Sequence, residues 1–164
     1  MKMLWVVAAL LVGAGAKRTA APPKDLWDFD NLTARVSANG ETSDELTTLA
    51  LTQLGIRLEG SFAFQVSAHN NTVGGVTLHL EDPSDPKVAC ALYATREGEG
   101  LSFKDSRCSF PIFKDRQRTV ATCRRISGTA RRVSDRILLE ATAPDCTAAP
   151  MGFPLLVRAS VRPL

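Results

Sequence analysis

The residues of this chain that can do chemistry fall into three groups: four cysteines, two histidines and a dense run of arginines. Cys90, Cys108, Cys123 and Cys146 all lie in the second half, at gaps far wider than the C-x-x-C pairs that hold zinc. An even number of widely spaced cysteines reads instead as two disulfides, with three connectivities open. Once paired, none of the four can act as a thiolate nucleophile. No metal or other cofactor is expected. With two histidines in the chain, any histidine base would have to be His69 or His79. His69 adjoins a loop, and His79 alternates with Leu78 and Leu80 toward solvent. No G-x-S-x-G elbow, H-E-x-x-H pair or glycine-rich phosphate loop accompanies them, so no enzymatic activity is expected.

The arginines carry the stronger signal. Arg116, Arg118, Arg124, Arg125, Arg131, Arg132 and Arg136 fall within 21 residues, with Asp135 the only acid among them. Their planar forks bind sulfate, phosphate or carboxylate through paired hydrogen bonds. One reading is a face for an anionic partner: an extracellular glycan, a lipid A phosphate or an acidic receptor surface. The other is a solvated strand face, or a run neutralised by the rest of the chain. The formal charge of +3 is too small for a nucleic-acid partner. It also hides an asymmetry: Lys17 to Gly100 sums to −5, and Leu101 to Leu164 to +7. Strand alternation would send Arg118 and Arg124 to one face and Arg125 to the other, dividing the run. Lys17–Arg18, Arg124–Arg125 and Arg131–Arg132 also have the form of dibasic cleavage sites.

These groups must be positioned by ordered elements. A chain of 164 residues, 45% apolar and 23% charged, suits one globular domain and excludes a disordered one. Residues 1–16 have the layout of a signal peptide: a basic head, an apolar run from Met3 to Val12 and the small-residue site Ala14-Gly15-Ala16. The run is too short to span a bilayer. The expectation is a secreted monomer without a transmembrane anchor, with acceptor sites for N-glycans at Asn31 and Asn70. Residues 17–41 read as a loose lead-in with one docking patch at Leu26, Trp27 and Phe29. Thr42-Ser43-Asp44-Glu45 is a capping box. It predicts a helix whose buried face holds Leu46, Leu49, Ala50 and Leu54, stopped by Gly55. Beyond it the period is two. Strands are expected over Phe62–Ala68, Val76–Leu80, Val88–Thr95, Leu101–Lys104, Arg118–Ile126 and Arg136–Ala143, with a turn opening at Ser127-Gly128-Thr129. The tail 147–164 alternates at Leu155, Val157, Ala159 and Val161, as a last strand would. The fold class expected is α+β: one N-terminal helix packed on a curved antiparallel β-sheet.

One helix, then an antiparallel sheet, then four cysteines in the C-terminal half resembles the cystatin superfamily, including cathelicidin prosegments. The local match is Cys108-Ser109-Phe110, followed by basic residues to Cys123 and a longer gap to Cys146. The resemblance covers residues 42–146 as a cystatin-like domain. It implies sequential pairing, Cys90 with Cys108 and Cys123 with Cys146, and a non-enzymatic secreted binding protein of host defence. An extracellular protease inhibitor is the second expectation, and a precursor of a C-terminal bioactive peptide the third. The chain departs from the inhibitory members at their Gln-x-Val-x-Gly tip. Gln65-Val66-Ser67-Ala68-His69 has Ser67 and His69 at the valine and glycine places, and neither tryptophan follows a proline.

Overall fold

A computed structural model of the chain describes residues 25–164. The signal-peptide segment 1–16 and the Lys17–Arg18 pair lie outside the described residues. Long alternating runs form β1 (Phe29–Glu41), β3 (Glu59–Asn70), β4 (Val76–Asp82), β5 (Asp85–Glu97), β6 (Gly100–Lys114), β7 (Gln117–Val133), β8 (Arg136–Ala148) and β9 (Met151–Pro163). Between β1 and β3 come a short helix, α1 (Glu45–Gln53), and a two-residue strand, β2 (Ile56–Arg57). All pairings are antiparallel. From β3 onward each strand pairs with the next, and β1 pairs with both β3 and β9. The result is a closed eight-stranded barrel, with β2 added to the end of β6.

The expected α+β arrangement of one N-terminal helix packed on a curved antiparallel sheet is therefore overturned, and with it the cystatin-like fold that the resemblance implied. The reason is one of area. A nine-residue helix cannot cover strands of up to 17 residues, so the sheet buries its apolar face by closing on itself, which also removes its edges. The helix buries only Leu51, while Leu46 and Leu49 are 77% and 55% exposed. Its cap is Asp44 rather than Thr42, the carboxylate accepting from the N–H groups of Leu46 and Thr47.

Three further expectations change for related reasons. The lead-in 17–41 contains β1, an integral stave of the barrel. Its alternation runs through small residues such as Ala34 and Ala38, which give a weak apolar signal. Asn39–Gly40 lies inside that strand. A Cβ at Gly40 would come within 2.9 Å of Leu155 Cδ1 and 3.0 Å of Leu58 Cβ, so the glycine serves close packing. Likewise Ser127-Gly128-Thr129 opens no turn. Gly128 lies within β7 opposite Phe103 of β6 and Ala141 of β8, where a Cβ would sit 2.1 Å from the Glu140 carbonyl. β1 and β9 both lie beyond the span 42–146, and both complete the barrel wall.

Inward positions are filled by Phe64, Leu78, Leu92, Phe103, Ile126, Leu155 and Val161 among others, all at most 5% exposed. A cavity of about 80 Å³ remains beside Phe64, Leu92, Phe103 and Ile126. Eight strands enclose just enough room for such a filling. On one side of this interior four adjacent strands contribute sulfur at the same level. Cys90, Cys108, Cys123 and Cys146 are successive cross-strand partners on β5, β6, β7 and β8, and they form the disulfides Cys90–Cys108 and Cys123–Cys146. Closing loops of 18 and 23 residues contributes about 3 kcal/mol each through the unfolded chain. The expected docking patch is divided. Trp27 is buried, its indole N–H donating to the Glu99 carbonyl, whereas Leu26 is 48% exposed.

Candidate functional site

The basic run occupies β7, the turn before it and the first residue of β8. Alternation does not continue unbroken along this strand: Ala121, Cys123 and Ile126 are buried, and Arg124 and Arg125 are both exposed. The pairing with β6 shows why. Cys108 faces Cys123 and Ser106 faces Ile126, so β7 carries one extra residue there, a bulge. The expectation that Arg124 and Arg125 point to opposite faces is corrected accordingly. Arg107 of β6 lies between those two pairings and faces the bulge. Three arginines thus meet on the outside of the wall whose inside carries the four cysteines.

The other members of the run have different surroundings. Arg118 reaches Asp82, a carboxylate at the end of β4 that is only 8% exposed, and lies 5.9 Å from the centre of the Phe62 ring. Burial alone would raise the Asp82 pKa. Burial is the largest single effect, but the hydrogen bonds from the Ser84 hydroxyl and N–H together with Arg118 outweigh it, and the net effect is a lowered pKa. Arg132 donates to the Leu26 carbonyl at 2.7 Å and covers the Phe29 ring, holding the N-terminal segment against the barrel. Arg125 donates to Asp145 at 3.1 Å, and Arg136 lies 3.9 Å from Asp135. Arg116, Arg124 and Arg131 have no carboxylate within salt-bridge distance among the described residues, which include every acidic residue of the chain. The seven arginines therefore divide into structural and available ones, a division invisible in the sequence.

Whether the acidic half neutralises the run is a matter of topology. Between Gly100 and Val133 the β6–β7 hairpin carries nine basic and two acidic residues, while residues 25–99 carry four basic and twelve acidic. In the ring of strands, β6 and β7 stand opposite β1 and β3, but of those acids only Asp30, Glu41 and Glu59 lie on these two strands, while β5 with Asp85 and Glu97 and β8 with Glu140 and Asp145 flank the hairpin. Only one ion pair joins the hairpin to that acidic half, Arg118 with Asp82. Arg107, Lys104 and Lys114 extend the basic face, and sequence reasoning missed them because nothing short of the β6–β7 register places them beside the β7 arginines.

The remaining expected site residues are dispersed. His69 lies on the outside of β3 with Asp28 and Asp30 at 3.8 and 3.2 Å, and His79 is exposed on β4 opposite Ser67 and Ala91. Asn31 is exposed at the start of β1. Asn70 is also exposed, but its side chain donates to Asp25 at 3.4 Å and accepts from Arg96 at 2.7 Å, contacts that a glycan there would have to displace. No protein-family model matches the chain, nor does any curated protein or solved structure.

Proposed function

We propose that this is a non-enzymatic binding protein whose β6–β7 hairpin holds an extended polyanion, such as a sulfated extracellular glycan. The observation that carries this reading is the row of exposed arginines on the hairpin, Arg107, Arg116, Arg124 and Arg131, with no carboxylate within salt-bridge distance among the described residues. Spacing favours a long ligand over a single phosphate headgroup. Arg116 to Arg124, and Arg124 to Arg131, are each about 25 Å apart at roughly 3.3 Å per strand residue. The outward position of Arg107 and Arg124 over a disulfide-bonded wall gives the ligand a rigid support. The two disulfides support an oxidising compartment, consistent with the leader-like residues 1–16. A precursor that releases its tail is less favoured, because β9 pairs with both β1 and β8 and its loss would open the barrel.

Heparin affinity across a salt series tests the proposal. Binding should weaken with salt, and Arg116→Ala with Arg124→Ala should reduce the slope of log K against log salt by about two, one per counterion no longer released. Retention near physiological ionic strength that these substitutions leave unchanged would remove the reading.

A further inference from the structure

The outer face of β1, β9 and β8 carries a basic feature that the β6–β7 hairpin does not explain. Arg35 of β1 is the direct cross-strand partner of Arg162 of β9. Arg136 opens β8 at the same level, since the next residue, Ile137, pairs with Val161. Alternation sends all three outward, because Ala34, Val36, Ile137 and Val161 are buried. Like charges placed directly opposite on adjacent strands repel, their Cβ atoms being only about 4.5–5.5 Å apart. One carboxylate answers the three: Asp135, 3.7 Å from Arg162 and 3.9 Å from Arg136. Arg35 has no carboxylate partner among the described residues. The neighbouring acids are committed elsewhere, Glu41 and Glu140 to Arg158.

Beside this row lies a second one of matching use. Ser37 and Ser160 are cross-strand partners on the same face, and Ser37 shares a 3.3 Å hydroxyl contact with Ser61. Two guanidinium forks and two hydroxyls therefore sit side by side on a paired, rigid sheet. Forks supply parallel N–H donors to an oxyanion and hydroxyls can rotate to donate to it. We propose that Arg35, Arg162, Ser37 and Ser160 form a binding site for a tetrahedral oxyanion, a sulfate or phosphate group, which relieves the repulsion between the two arginines. The site stands on residues separate from the β6–β7 stripe and does not depend on it.

The test is an NMR titration of the full chain with sodium sulfate and sodium phosphate, against sodium chloride at matched ionic strength. Saturable shifts should centre on Arg35, Ser37, Ser160 and Arg162, and Arg35→Gln should weaken binding by about tenfold. The same variant gives a second reading that a purely structural arginine would not. In chloride it should melt above the parent chain, because a repulsion is gone, and in saturating sulfate it should melt below. Arg116→Ala with Arg124→Ala should leave both results intact. A sulfated disaccharide that binds the same residues more tightly than inorganic sulfate assigns the group to a glycan, and equal binding assigns a free ion. Linear shifts, shifts scattered over the surface, or Arg35→Gln binding as the parent does would each overturn the proposal.

Discussion

Replacing Arg118 by alanine separates an arginine that holds the barrel from those that face a ligand. The lost contact is a charge-assisted hydrogen bond to Asp82, and the carboxylate it leaves behind is 8% exposed. Removing one partner of a buried ion pair typically costs about 3–5 kcal/mol. Here two facts lower that figure. Arg118 is itself 35% exposed, and Ser84 still donates to Asp82 through its N–H at 2.8 Å and its hydroxyl at 2.6 Å. A bond to a charged group then sets the scale at about 1.5–3 kcal/mol, with about 0.5 kcal/mol more for the cation–π contact on Phe62. The expected total of about 2–3.5 kcal/mol corresponds to a fall in Tm of about 5–12 °C for a chain of this size. Urea unfolding of the single variants Arg118→Ala and Asp82→Asn and of their double variant isolates the coupling between the two groups. Heparin elution of Arg118→Ala should meanwhile stay close to that of the parent. Unchanged stability together with a marked loss of heparin affinity would show that Arg118 belongs to the ligand face, and the division of the arginines into structural and available ones would be wrong.

Other outcomes follow from the same packing. Trp27→Ala removes a side chain 2% exposed together with its bond to Glu99, and should cost about 3–5 kcal/mol by denaturant unfolding. Under native conditions, mild reduction followed by alkylation and peptide mapping should label Cys90 and Cys108 before Cys123 and Cys146, because Cys90 is only partly buried while both sulfurs of the second bridge belong to residues at 0% exposure. Asp82 has a lowered pKa in the fold, so the stability it supplies is fully present above the unfolded value near 3.9 and is lost as pH falls through the folded one. A Tm series in acid should therefore show a descending limb below about pH 4 that is shallower in Asp82→Asn.

Particular residues show where sequence reasoning reaches its limit here. The alternation at Val76, Leu78 and Leu80, and again at Leu155, Val157 and Val161, is legible because large apolar residues mark every second place. β1 is not, since Ala34 and Ala38 mark its inner face with little hydrophobic contrast and Asn39–Gly40 imitates a turn. The capping segment before α1 signals a helix start correctly, yet no local signal tells whether Leu46 and Leu49 will meet a sheet. That depends on whether the sheet has a face left to cover, and a closed barrel has none. The β7 bulge is equally silent, because an extra residue in one strand is defined only against its partner.

Composition and local order suffice for the two-residue period of most of the chain, the even set of widely spaced cysteines and the concentration of arginine after Gly100. Three other properties arise only once the strands have paired: the period closes into a barrel, the four cysteines sit side by side on four adjacent strands, and Arg118 and Arg132 are spent on packing while Arg116, Arg124 and Arg131 are not. The physical reason is that strand pairing joins residues far apart in the chain. A side chain's partner across the ladder, and hence its charge environment, is set by register and closure, which no short stretch of sequence encodes.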